Sequence, residues 1–131
     1  MPLVYTFRSD IGLLVIVGQG EISQNERLNA IRGWLSDPSY KPGLDVLCDL
    51  SGAATATVSS LSELREMVAL VRENAQAMGP HKLAVVASKP VGFGVARQFE
   101  ALMAVANPVV DVRIFATRSE AWSWLRPDIP E

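Results

Sequence analysis

The stretch with the most chemical potential runs from Ser88 to Arg97, SKPVGFGVAR, where two glycines flank an aromatic residue and Lys89 and Arg97 frame the segment. Glycines that follow a strand let backbone amides approach a phosphate, so the segment is first compared with a dinucleotide fingerprint. Gly92 and Gly94 supply G-x-G, but Arg97 stands where the third glycine belongs, and the segment comes late rather than after a first strand. There is no Walker loop. A helix that Pro90 opens, and whose glycines allow close approach to a sheet, accounts for the same letters. A generic anion site survives, because a helix start offers free N–H groups and a positive dipole beside Lys89 and Arg97.

Other chemistries find less support. The one imidazole, His81, follows Gly79-Pro80 and reads as an exposed loop residue, and no serine or cysteine sits in a nucleophile-elbow context. Asp45 and Asp49 lie four apart on an expected strand, roughly 13 Å by strand rise, too far for joint acid–base work. Asp49 reads as a strand-end residue that bonds loop amides. A phosphoacceptor receiver would need an acidic pair after its first strand, and VGQGEIS offers only Glu21. No metal site, cofactor motif or catalytic set is expected, and the chain reads as a non-enzyme.

Length and composition agree with a binding or structural domain. At 131 residues the chain is one typical domain, large enough to bury a core without staples. A net charge of −2 with scattered Lys and Arg gives no basic stripe, which argues against nucleic acid and anionic lipid surfaces. The single cysteine, Cys48, lies in an apolar run without a partner, so a reducing, cytoplasmic setting is expected. The sequence shows neither a signal-peptide pattern nor a membrane span.

The elements that must position these residues follow from periodicity. Leu3 to Ser9 alternates, Asp10-Ile11-Gly12 supplies a turn, and LLVIVGQG completes an antiparallel hairpin. Ser23 to Glu26 has capping-box spacing before a helix that Pro38 limits to about Ser36. Leu44 to Leu50 reads as a buried strand. Ser60 to Glu63 is a second capping box, opening a long helix that Gly79-Pro80 ends. KLAVVAS is a strand, a helix from Pro90 to about Ala106 follows, then the strand DVRIFAT and a last helix capped by Thr117. The order ββαβαβαβα predicts an α/β domain over 1–125: a mixed, largely parallel sheet of about five strands with an N-terminal antiparallel hairpin, packed by about four helices. Residues 126–131 are expected as a disordered tail.

With these residues in view, the chain resembles the SpoIIAA-like proteins, the STAS/SEC14-type fold of the anti-sigma-factor antagonists, and in particular their uncharacterised branch. The resemblance covers nearly the whole chain and rests on element order, on VLCDLSG at a strand end, and on AVVASKPVGFGVARQFEAL followed by VRIFATRSEAWSWL. It implies a regulatory module, with partner binding switched by phosphorylation of a serine in an Asp-Ser-Ser-Gly motif. Here Ser59 and Ser60 remain, but Thr57 or Val58 stands in place of the acidic residue and the glycine is absent; Ser60 as a helix N-cap explains the same letters. The resemblance to lipid-carrying SEC14-like domains implies a cavity between helices and sheet.

The helix from Gly92 to Ala106 is apolar around more than one stripe. Val95, Phe99, Leu102, Met103 and Ala106 cluster toward the core, while Phe93, Arg97, Glu100, Ala101 and Ala104 cluster opposite. Either Phe93 and Arg97 anchor an outward contact or Phe93 folds back over the sheet. The leading expectation is a non-catalytic, cytoplasmic interaction module that binds a protein partner or itself as a homodimer through this surface and Lys89. Asp49, Ser51, Ser59 and Ser60 form its expected regulatory loop. The alternative is a carrier or sensor of a small apolar or anionic ligand, bound near Ser51, Lys89 and Arg97.

Overall fold

Each crossover in this chain advances one strand in the same direction, and that decides where the helices lie. The computed structural model describes residues 2–54 and 60–131. Strands β1 (Leu3–Arg8) and β2 (Leu13–Gly20) form the antiparallel hairpin, and β3 (Asp45–Ala53), β4 (His81–Val86) and β5 (Val110–Phe115) follow in order, parallel to β2. Helix α1 (Gln24–Ser36) links β2 to β3, α2 (Leu61–Glu73) and α3 (Ala75–Met78) precede β4, α4 (Pro90–Ala106) links β4 to β5, and α5 (Arg118–Leu125) ends the order. Right-handed crossovers repeated in one direction set α1, α2 and α4 on one face. Helix α5 belongs to no crossover and packs on the other.

Strand parity matches this division. Leu13, Val15, Leu47, Ala84 and Val86 face α5, where they meet Ala121, Trp122 and Leu125. Val85, Val110, Val112 and Ile114 face Val68 and Val71 of α2 and Ala96 and Met103 of α4. Leu14, Ile16 and Val46 meet Trp34 of α1. The predicted mixed sheet with its antiparallel hairpin is the observed one.

Local differences have local causes. The long helix after Ser60 breaks at Asn74, whose backbone leaves helical geometry at φ −108° and ψ 12° while its amide reaches back to the Leu70 carbonyl, so α3 is a separate turn. His81, expected in an exposed loop, opens β4 and is only 7% exposed. Gly79 adopts φ +65°, which turns the chain straight into the strand, and its carbonyl holds His81 Nδ1 at 2.8 Å.

The hairpin turn is tied to the far end of the chain. Gly12, at φ +64°, ends a 3-10 turn over Ser9–Ile11. Arg126 Nε donates to the Ile11 carbonyl at 2.7 Å, Nη2 to the Gly12 carbonyl at 2.9 Å, and Nη1 to Asp45 at 2.8 Å. Residues 126–131, expected as a disordered tail, lie against α5: Trp122 donates to the Ile129 carbonyl and Arg118 meets Glu131, both at 2.6 Å. Among the described residues no helix is long and apolar enough to cross a membrane.

Hydrogen bonds to charged groups contribute about 1.5–3 kcal/mol each, and Arg126 is largely shielded from water. Arg126→Ala is expected to destabilise the domain by about 2–3 kcal/mol, read as a lower urea midpoint at unchanged slope. Arg126→Lys should recover only part of the loss, because a point charge cannot span the three acceptors.

Candidate functional site

The two faces of the sheet are packed to different standards. On the α5 side the central positions Leu47, Ala84 and Val86 are 0% exposed. On the other side Cys48, Leu50 and Leu83 keep accessible surface although they sit on central strands. That surface opens onto a cavity of about 230 Å³ enclosed by β3, β4, α1, α2 and α4. Protein interiors ordinarily hold few voids larger than a water molecule. Side chains that line an apolar cavity lose the contacts a filled core would give them.

His81, Leu83, Val85 and Ala87 alternate along β4 and line the cavity from end to end, a run of roughly 20 Å by strand rise. At the N-terminal ends of the strands it is closed by Met78, His81 and Val110, all buried. At the C-terminal ends Ser88 and Lys89 are exposed and Ala53 and Gly92 half-exposed, so the mouth lies there. Lys89 Nζ crosses this mouth to the Ala53 carbonyl at 3.2 Å. The topology places the N-termini of α1, α2 and α4 at the same end, where open α/β sheets bind ligands.

Two of those helix starts are capped by their own side chains. Ser23 with Glu26, and Ser60 with Glu63, form the two predicted capping boxes. The start of α4 has none: Lys89 occupies the cap position without a side-chain cap bond, and Pro90 follows. Arg27, one turn into α1, lines the cavity and meets Gln24 at 3.4 Å. Burial lowers the pKa of its guanidinium, while the charges of Glu63 and Glu26 act in the opposite sense.

Cys48 is deep in the protein, and its remaining surface faces the cavity. Desolvation, with a smaller effect from neighbouring Asp49, pushes its pKa up to about 12. It therefore stays a thiol and is a poor nucleophile. Trp34 also lines the cavity, and its indole N–H is buried without a hydrogen-bond partner among the described residues. No group of three or more metal-ligating side chains occurs among the described residues.

The residues singled out in the sequence fall in three places. Lys89 is at the cavity mouth. Asp49 is buried on the opposite face of the sheet, where it accepts from the Ser51 amide at 3.0 Å and hydroxyl at 2.6 Å and meets Arg118 at 3.5 Å. Ser51 shares that face, so Ser51, Lys89 and Arg97 do not converge. Arg97, Ala101 and Ala104 are exposed on α4, and Glu100 pairs with Arg97 at 3.4 Å. Phe93 packs against the core cluster, which favours the folded-back alternative. Ser60 caps α2, and Ser59 lies outside the described residues. The alternating face of β4 was readable as apolar, but its role as a cavity wall was not, because identical letters also make a filled core.

No family model matches the chain, and no curated protein matches it. Among solved structures it is similar to an uncharacterised DUF3478-family protein with a SpoIIAA-like fold from Shewanella loihica PV-4, with a TM-score of 0.58 and 13% identity over 94% of this chain and 91% of that one. The chain therefore has a SpoIIAA-like fold. At that identity the likeness concerns architecture, and function has to be argued from the cavity.

The cap at α2 gives a test of the wall beside the mouth. Hydrogen bonds from the backbone N–H and hydroxyl of Ser60 hold Glu63 below its ordinary 4.5. Its stabilising contribution is present above that value and is lost as the pH falls through the lower folded pKa. Ser60→Ala is expected to cost about 1 kcal/mol at neutral pH and to weaken this acid dependence. Urea midpoints measured at several pH values check both.

Proposed function

We propose that this chain is a non-catalytic, cytoplasmic STAS-like module that carries or senses a small apolar ligand held between its sheet and helices. The observation that supports this reading most is the cavity itself. Its wall is almost wholly hydrocarbon, contributed by every second residue of β4 and by the inner sides of three helices. An apolar cavity of this kind favours an apolar guest over water, which finds few hydrogen-bond partners there. Filling it would also return contacts that the helix-side core lacks.

Native mass spectrometry of protein gently purified from its own cells is expected to show chains carrying a non-covalent adduct. Gly92→Leu supplies the control. Among the described residues a Cβ at Gly92 would meet only the Ala87 methyl, at 4.0 Å, so a larger side chain can enter the mouth while helix propensity improves. This variant should fold, lose the adduct and show no thermal shift with ligand. Cys48 gives a second readout: a small apolar mercurial should label it slowly in the free protein and not at all in the loaded one. Bare chains in every preparation, with Cys48 labelled equally throughout, would sink the reading.

A second reading, a module for binding a protein partner or itself, is favoured by a groove between α2 and α4. Its floor includes Val68, Ala101 and Leu102, with Leu61 and Val105 at its edges. Val105 is 86% exposed, unusual for a branched aliphatic residue. Arg65 and Arg72 also line the groove, seven residues and about 10 Å apart along α2. Aromatic Phe93 being withdrawn, this groove rather than the Phe93 surface is where such contact is expected. Val105→Asp should abolish association in sedimentation velocity without changing thermal stability; association that survives it excludes this groove.

A further inference from the structure

The polar residues around the cavity are distributed unevenly, and their signs are not balanced. Among the described residues its lining includes two cations, Arg27 and Lys89, and no aspartate or glutamate. Lys89 is exposed at the mouth, with its ammonium held across the opening by a single carbonyl. Arg27 is half-buried and already engaged by Gln24. Among the described residues the closed end offers only His81 and the indole of Trp34 as polar groups. Charge recognition is therefore concentrated at one end of an otherwise apolar tunnel.

From this asymmetry we infer that the ligand is a single-chain amphiphile with an anionic head, its head at Lys89 in the mouth and its tail along β4 toward His81 and Val110. The inference rests on the carrier reading above and adds the class and orientation of the guest. Three features support it. The Lys89 ammonium can exchange the neutral Ala53 carbonyl for a charged acceptor, and charge-assisted hydrogen bonds are roughly twice as strong as neutral ones. The α4 N-terminus beside it lacks a side-chain cap, so its dipole and first-turn amides reinforce the preference for negative charge. His81, Leu83, Val85 and Ala87 line the cavity from its closed end to its mouth, roughly 20 Å by strand rise, a depth that an extended chain can follow.

The neighbouring acids act in known places. Glu26 and Glu63 are committed to the capping boxes of α1 and α2, each bonding the backbone N–H of its own cap residue at about 3 Å. They sit outside the cavity lining. An anion at Lys89 thus approaches a cationic wall.

The test uses the delipidated full-length chain and four probes with the same tail: decanoate, decyl phosphate, decanol and decyltrimethylammonium. Titration calorimetry is expected to rank both anions about tenfold or more above decanol, with the cation weakest; the order of the two anions separates a carboxylate source from a phosphate one. Lys89→Glu should remove the preference for anions, lowering decanoate and decyl phosphate affinity about tenfold or more and decanol affinity far less. That substitution is at an exposed position whose side chain makes no cap bond, so it should not disturb folding. Equal affinity for all four probes, with Cys48 still protected, would overturn the head-group assignment while the carrier reading stands. No binding of any probe and no protection of Cys48 would overturn both.

Discussion

The architecture depends on a steric constraint: a parallel crossover in a twisted sheet is right-handed. Because β2, β3, β4 and β5 follow one another in a single direction, the constraint allows α1, α2 and α4 only one face. Three helices must then share the width of four parallel strands. The opposite face receives α5 alone, and there the packing closes fully around Leu47, Ala84 and Val86. The helix-side face is where the same chain leaves space, and the candidate site follows from that difference.

Closure on the α5 side is reinforced by polar anchors from the last helix and the chain end to the sheet. Arg126 joins the hairpin turn to Asp45, and Arg118 joins Asp49 to Glu131. Both aspartates extend from β3 toward α5. On the helix side, by contrast, α1 and α2 meet through Gln24, whose amide reaches the Glu63 carbonyl at 3.0 Å and Glu66 at 2.9 Å. Asn107 stitches the end of α4 to the Val68 carbonyl of α2 at 3.3 Å. These bonds tie helices to each other at their ends. They set a roof over the sheet without pulling it down onto Cys48 and Leu83.

Much of this was readable in the sequence for physical reasons that can be named. Two capping boxes, the Asp10 to Gly12 turn, Pro38 and Gly79-Pro80 are local signals, and local signals fix element boundaries without knowledge of the partner elements. The strand ends were less exact: β3 runs on through Ser51 to Ala53, so Asp49, expected to end the strand and bond loop amides, accepts from a residue of the same strand. His81 was misplaced because Gly-Pro normally prolongs a loop, whereas here Gly79 makes the whole turn within one residue. The site was harder to read. Lys89, singled out at a helix start, does stand at the cavity mouth, but Arg97, eight residues on, faces outward to Glu100. Arg126 gave no signal, since its partners on the sheet and hairpin turn are the Ile11 and Gly12 carbonyls and the Asp45 carboxylate, 115, 114 and 81 residues away.

The two proposed readings share a mechanical element. Leu64 and Val71 of α2 and Val95, Phe99 and Met103 of α4 turn toward the cavity. Arg65, Ala69 and Arg72 of α2 and Gln98, Ala101 and Val105 of α4 turn toward the groove. Packed helices transmit displacement because interiors compress little. A guest that sets the spacing of α2 and α4 from inside must therefore also set the width of the groove outside. In the two proposed readings, the affinity of a partner for the groove and the affinity of a guest for the cavity would then change by the same factor.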